Sequence, residues 1–501
     1  MGSGHGGRDS RQGGAAVAGG QVRRPRRAVA ALAVVLGLAG SVAGCSSWIA
    51  GLDQTGSVPR EPRKSGEPST PAQREHRRIL ASYGGAYRDA RLEAMIAAMV
   101  DRLVAASERP DLRYKVTILD SPAINAFALP TGDLYVTRGL VALANDNAEL
   151  AAVLSHEMAH VLARHAAIRE DQARRVASAT LASGDPADTT GALALARTKL
   201  AIASFSRAQE FEADGIGVGI AARSGFDPHG APRILSAMGR FAALRSAGGT
   251  DARSLDFLSS HPATPERIEN ALANARQHAA GSRDRAAFLA AVDGMVYGED
   301  PVEGFVRGRR FLHPKLGFGF TAPEGFTLEN TAQAVIGSRE GGDQALRLDI
   351  VRPAGDPSLT AYLTSGWIEN IDTGSIEETT AGGFPAVTAT AKGDPWWFRV
   401  VLIRNGAEVY RFVFAAKTRT PEADRAFRES ANSVRRLSLA EARSAKPTRL
   451  AVVTVRPGDT VERLAARMAL PDRQVERFRV LNGLGPADTP RPGDQVKLVV
   501  E

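Results

Sequence analysis

Apolar residues recur at three- and four-residue spacing through Leu92, Met95, Ile96, Met99, Val100 and Leu103, inside the stretch from Arg74 to Ser107. That period lays them along one stripe and predicts an amphipathic helix closed by Arg109-Pro110. Short apolar clusters at Tyr114 to Leu119 and Leu134 to Thr137 predict strands. A second helix is predicted to start near Asp146 or Asn147, with Glu149 in its first turn to suit the dipole, and to run past His165. Ser183-Gly184-Asp185-Pro186 breaks the chain before an Ala/Leu-rich helical run from Gly191, and a mobile segment there could act as a lid.

The texture changes further on. Residues 283 to 296 look helical and lead to a linker at Glu299-Asp300-Pro301. Beyond Phe305 the runs become strand-like: Gly317 to Phe320, Leu346 to Val351, Val387 to Ala391, Trp397 to Ile403 and Val409 to Ala415. Leu359 to Ile368 and Pro421 to Val434 read as helices, so this part is an α+β domain of antiparallel strands with its helices on one side. After Ala445 to Thr448 the pattern is strand, two short helices and strand, with Pro-Gly-Asp turns at 457–459 and 492–494. The map is therefore a multidomain α+β chain: a signal segment 1–44, a tether 45–75, a mainly helical domain 76–280, a helical linker 281–304, the α+β domain 305–440, a linker 441–450 and a small βααβ domain 451–500.

Charge changes this picture at one end only. The formal net charge is +8 over 501 residues, but residues 1–44 hold six Arg against one Asp, which leaves 57 basic against 54 acidic residues in the remainder. The excess belongs to Arg23-Arg24-Pro25-Arg26-Arg27 ahead of the apolar run Ala28 to Ala43, the marks of a bacterial export signal. No nucleic-acid partner is implied. Val42-Ala43-Gly44-Cys45 resembles the lipobox of bacterial lipoproteins, which implies that Cys45 is lipidated and anchors the chain to a membrane, the outer membrane being favoured by Ser46. Cys45 is the single cysteine, so an internal disulfide is excluded. From Ser46 to about Gln73 the Gly/Ser/Pro/Gln-rich composition suits a flexible tether.

The chemistry gathers at His156-Glu157-Met158-Ala159-His160. Residues four apart share a helix face, so His156 and His160 can offer two imidazoles to one metal ion with Glu157 beside it. A catalytic zinc takes three protein ligands and keeps a fourth position open, and a carboxylate from a second helix would complete the set. Glu210, in Phe205-Ser206-Arg207-Ala208-Gln209-Glu210, is the candidate. Asp214, one turn later on the same face, is placed to fix a zinc-bound histidine's tautomer. Glu212 reads as a solvated helix charge.

Together, Leu119 to Gly132, Tyr135 to Leu140, the HExxH run with Arg164-His165, and Glu210-x-x-Ala213-Asp214 resemble metallopeptidase family M48, the Ste24/HtpX/BepA-like peptidases, over roughly residues 76–280. The resemblance implies a zincin (gluzincin) fold, one Zn2+ per chain held by His156, His160 and Glu210, and Glu157 as general base in peptide-bond hydrolysis. In such enzymes a sheet edge pairs with extended substrate, so Asn125, Ala126, Phe127 and Ala128 either line the cleft by strand addition or form a plain structural turn. His261, in a His-Pro segment seen in periplasmic members, is read as a latch on the zinc's open position, as an oxyanion stabiliser, or as part of a packed helix-entry loop. Residues 451–500 resemble the LysM module, which implies peptidoglycan as a partner, and Leu316 to Phe326 resembles the opening of Mog1/PsbP-type domains. The reading is a lipid-anchored periplasmic zinc metalloendopeptidase acting on misfolded or misassembled envelope proteins. Its rivals are a non-enzymatic envelope chaperone or assembly factor on the same scaffold and a peptidoglycan-associated hydrolase.

Overall fold

The computed structural model describes residues 70–182, 206–246, 257–393 and 395–501, and the first of these segments opens with a capped helix. Thr70 accepts from the Gln73 N–H while Gln73 reaches back to the Thr70 N–H, with Pro71 at the first helical position of α1 (Pro71–Ser82). Asp89 caps α2 (Ala90–Ala105), which buries Leu92, Ile96, Met99, Val100 and Leu103. One helix was expected between Arg74 and Ser107 and there are two, because Gly84 and Gly85 turn the chain at φ of 81° and 101°. Residues 71–75, assigned to the tether, are helix. The signal segment, Cys45 and the tether up to 69 lie outside the described residues, as does the proposed lid at 183–190.

Strands β1 (Lys115–Leu119), β2 (Ala126–Ala128) and β3 (Asp133–Thr137) form a sheet in the order β1-β3-β2, with β1 parallel and β2 antiparallel to β3. The short α3 (Arg138–Leu143) leads to α4 (Asn147–Leu162), capped by Asp146 and buried at every position from Asn147 to His160. A helix buried all round is the centre of its domain. It does not run past His165 as expected: Arg164 takes a left-handed φ of 57°, and α5 (His165–Ala182) starts in a new direction. Then come α6 (Arg207–Arg223), α7 (Gly230–Ser246), α8 (Phe257–Ser260), α9 (Pro265–Ala275) and α10 (Arg285–Val292). Helix α4 packs against α2, α6, α7 and β2. Contact with α6 is close enough that a Cβ at Gly217 would sit 3.0 Å from the His156 amide nitrogen.

The middle domain contains β4 (Phe305–Arg307), β5 (Arg310–His313), β6 (Phe318–Thr321), β7 (Phe326–Asn330), β8 (Val335–Arg339), β9 (Gln344–Val351), α11 (Leu359–Leu363), β10 (Ile371–Ala381), β11 (Phe384–Lys392), β12 (Trp397–Asn405), β13 (Glu408–Ala416), α12 (Pro421–Asn432) and β14 (Arg435–Arg436). A seven-stranded antiparallel sheet runs β10-β11-β12-β13-β9-β8-β7, beside a four-stranded sheet β14-β6-β5-β4. The helices do not share one side. Ala386, Val401, Ile403, Phe412 and Phe414 pack with Phe427 of α12, whereas Val387, Val400 and Leu402 on the opposite face pack with Leu363 of α11. Consecutive apolar residues such as Val400-Val401-Leu402-Ile403 make both faces hydrophobic, and each face needs its own cover.

After α13 (Leu439–Ser444), the final elements are β15 (Arg449–Thr454), α14 (Val461–Ala465), α15 (Gln474–Leu481) and β16 (Gln495–Val500), with β15 antiparallel to β16. Neither expected linker is a loose connection. Phe288 and Leu289 of α10 and Leu450, Leu464, Phe478 and Leu498 of the C-terminal module lie in one hydrophobic cluster with Leu103 of α2 and Leu154 of α4. The Leu450 N–H donates to Met295 and the Gly294 N–H to Leu450, so 294–297 lies along the start of β15. Buried Arg138 donates to the carbonyls of Val296 and Gly298 and pairs with Asp120 at 2.9 Å.

Glu299, in the same connection, accepts from the Val306 N–H at 3.0 Å, and burial pushes its carboxyl up to about 7. Because the folded chain holds this proton more tightly than the unfolded chain, Glu299 lowers stability as pH rises from 4.5 toward 7, and the deficit is complete above that. Glu299→Gln is expected to raise the melting temperature at pH 8 by roughly 2–4 °C, with the gain shrinking toward pH 4.5. A gain that is the same at both pH values contradicts this.

Candidate metal centre

His156 and His160 stand on successive turns of α4, with their Nε2 atoms 3.0 Å apart. Glu210 comes from the first turn of α6, whose start is set by a capping box between Ser206 and Gln209. Its Oε2 is 3.6 Å from His156 Nε2 and its Oε1 is 3.5 Å from His160 Nε2. A fourth group joins them: His261 Nδ1 lies 2.8 Å from Glu210 Oε1 and 3.4 Å from His156 Nε2. All four residues are buried, and their donor atoms lie within 4.8 Å of one another. Ligand bonds of roughly 2.0–2.1 Å arranged tetrahedrally put donor atoms roughly 3.3 Å apart, so this set fits a zinc-sized cation.

The electrostatics suit cation binding. Burial lowers His160 to about 3 and His261 to about 4, which keeps both imidazoles neutral with lone pairs to offer. Against the burial that opposes it, hydrogen bonds from His160 and His261 hold Glu210 below the usual carboxylate range. Glu157 goes the other way: burial pushes it up to about 8, although the Ala128 N–H donates to it.

A ring of buried partners surrounds the four. Asp214 Oδ1 lies 3.0 Å from His156 Nδ1. Arg267 clamps Asp214 through Nε and Nη2 at 2.8 and 2.7 Å, and its Nη1 is 2.6 Å from Glu210 Oε2. On the far side of His160, its Nδ1 is 2.9 Å from His165 Nδ1, and His165 Nε2 is 3.2 Å from Glu212 Oε2. Sequence reasoning assigned no role to Arg267 or His165, and Glu212, taken as a solvated charge, is half exposed yet bonded to His165. The signal for His165 was its place straight after HExxH-Val-Leu-Ala-Arg. For Arg267 it was a capped helix start, Thr264-Pro265, that aims the third helical residue inward.

Strand β2 ends this ring. Asn125 and Leu129 bond to β3, so by alternation Ala126 and Ala128 turn their backbone groups to the outer edge. Ala128 thereby reaches Glu157. Among the described strands β2 is paired on one side only. The side chains of Asn125 and Phe127 are otherwise engaged: Asn125 donates to the Tyr83 hydroxyl at 2.9 Å, and Phe127 packs between Tyr83 and Tyr135.

Residues 89–275 match the family model "Peptidase family M48". Over this segment the chain is similar to peptidase family M48. The M48 segment is 30% identical over 202 residues to "Mitochondrial metalloendopeptidase OMA1" of Schizosaccharomyces pombe, covering 39% of this chain and 58% of that protein. It is 31% identical over 200 residues to "Beta-barrel assembly-enhancing protease" of Escherichia coli K12, covering 38% of this chain and 40% of that one. The chain thus spans about half the length of these curated relatives. The solution structure of cyanobacterial PsbP from Synechocystis overlaps 27% of this chain and 96% of that one at 17% identity and a TM-score of 0.21.

Within the M48 segment, Arg267→Met keeps the buried stem and removes the charge facing Glu210 and Asp214. Metal-free protein carrying this change is expected to lose about 3–5 kcal/mol in urea unfolding, the usual result of stripping one partner from a buried ion pair. An unchanged urea midpoint would show that the clamp contributes nothing.

Proposed function

We propose that this chain is a lipid-anchored periplasmic zinc metalloendopeptidase that cleaves misfolded or misassembled envelope proteins. The observation that carries the reading is the convergence of His156, His160 and Glu210 from two packed helices, with Glu157 buried beside them. His156, His160 and Glu210 would hold one Zn2+, which supplies Lewis acidity toward a peptide carbonyl. Asp214 fixes the His156 ring through Nδ1 and leaves Nε2 facing the ion. Glu157 takes the proton of the attacking water at its carboxylate and returns it to the leaving amine; a carboxyl raised by burial is suited to both halves of that transfer. The open edge of β2 at Ala126 and Ala128 would receive extended substrate.

His261 completes a four-donor set where a hydrolytic site needs an opening, so we read it as a latch that keeps the resting enzyme latent. Envelope localisation is supported by the export signal and the Cys45 lipobox in the sequence, and by a relative whose name places it in β-barrel assembly. No described helix is long and apolar enough to cross a membrane. A peptidoglycan contact is supported by the strand-helix-helix-strand order of the C-terminal module, whose turns at Pro457-Gly458 and Pro492-Gly493 are exposed.

The fragment from Ser46 onward is expected to bind one zinc and to degrade unfolded casein. Glu157→Gln should keep the zinc while cleavage falls about 10²–10⁴-fold. Zinc-loaded wild-type protein that leaves casein intact but suppresses its aggregation would instead favour the chaperone, and release of muropeptides the wall hydrolase. His261→Ala should raise casein turnover severalfold; unchanged or lower turnover removes the latch.

A further inference from the structure

Lys497 is wholly buried in β16, a place where lysine is rare. Its Nζ donates to the carbonyls of Ala142 and Ala144 at 2.6 Å each and, more weakly, to that of Leu143 at 3.4 Å. These oxygens belong to the end of α3 and its C-cap residue Ala144, which a helix leaves without backbone donors and where its dipole favours a cation. The main chain of Lys497 is held in turn: its N–H donates to Asn482 Oδ1 and its carbonyl accepts from Asn482 Nδ2.

The same corner is the entry to α4. The Asn145 N–H donates to Glu149 at 2.8 Å, and Asp146 caps the Glu149 N–H at 2.9 Å. Arg233 of α7 pairs with both carboxylates and Arg283 with Asp146. Arg285 adds a second strap, donating to the carbonyls of Asn145 and of Gln495 at the start of β16. From this corner α4 runs uninterrupted to His156 and Glu157, against α6, whose approach at Gly217 leaves no slack. An axial shift of α4 would move both imidazoles relative to Glu210.

We propose that Lys497 is a positioning residue of the peptidase: it fixes the entry of α4, and the C-terminal module is thereby a working part of the catalytic domain. This rests on the hydrolytic reading above. A purely structural lysine would affect turnover only through unfolding, and that difference can be measured. Lys497→Met is compared with Leu464→Ala, which removes a buried side chain of α14 in the same module. Both are made in the chain from Ser46 onward and assayed well below their melting temperatures.

The expected result for Lys497→Met is a kcat on casein reduced about 10- to 100-fold with KM little changed. Amides of 147–154 should also exchange faster in the Lys497→Met protein, whereas Leu464→Ala stays within about twofold of wild type on kcat. Equal behaviour of the two variants, in kcat and in exchange, overturns the proposal. If wild type itself proves inert, faster exchange confined to Lys497→Met still supports the positioning role, and the hydrolytic reading is what has failed. Should Lys497→Met not fold, Arg285→Gln tests the second strap: a smaller kcat loss with faster exchange at the same amides supports the proposal, and wild-type values overturn it.

Discussion

Buried charge must meet opposite charge, and around α4 that requirement arises twice. At its C-terminal end three carboxylates, Glu157, Glu210 and Asp214, are enclosed with Arg267, and half-buried Arg169 also faces Glu210 and Glu157. Burial keeps His160 and His261 neutral, while against it Asp214 holds His156 above its ordinary value. An isolated ion in such a place costs several kcal/mol, so the pocket either takes up positive charge or protonates. Glu157 is the group driven toward protonation, up to about 8, while Glu210 and Asp214 are held ionised. A buried pocket of carboxylates and imidazoles, in which Glu157 holds a proton for want of positive charge, is what a cation would complete.

At its N-terminal end the buried carboxylates meet protein cations, although burial and Asp146 still raise the Glu149 carboxyl. Asp146 and Glu149 face Arg233, and Arg283 and Lys497 approach from two further elements. Burial lowers the Lys497 ammonium below its ordinary range, and the nearby carboxylates of Glu149 and Asp146 oppose that shift. One helix is therefore fixed at its entry by a network of carboxylates and cations and carries a convergent donor set near its exit. That asymmetry separates scaffold from site along a single element.

The site was legible because its spacing is local. His156 and His160 declare themselves at i and i+4, and Asp214 follows Glu210 at the same interval, so two helix faces could be drawn without knowing how they meet. Arg267 and His165 carried weaker signals, and neither was given a role. Arg267 matters through carboxylates far from it in sequence, and His165 returns to His160 because Arg164 adopts a backbone conformation that no residue type there announces. In the middle domain five strand runs were readable while β4, β5, β7, β8, β10 and β14 were not, and the two-sided placement of α11 and α12 depends on both sheet faces being apolar. Lys497 drew no reading from the sequence, and its three acceptors are backbone carbonyls, which carry no sequence signature.

The four donors at the centre are not held with equal firmness. His156 and His160 lie on a helix packed on every side, and Glu210 is locked to it through Arg267 and the close approach at Gly217. His261 follows the four-residue α8, held by its N–H to the Phe257 carbonyl, by stacking on Phe257 at 4.4 Å and by the Phe257 N–H to Ile124. Withdrawing His261 breaks its bond to Glu210 as well as these contacts, whereas withdrawing any of the other three also disturbs the packing of α4 on α6. Ile124 immediately precedes the strand whose outer edge faces Glu157, so the backbone that steadies His261 is continuous with the edge where an extended chain would pair.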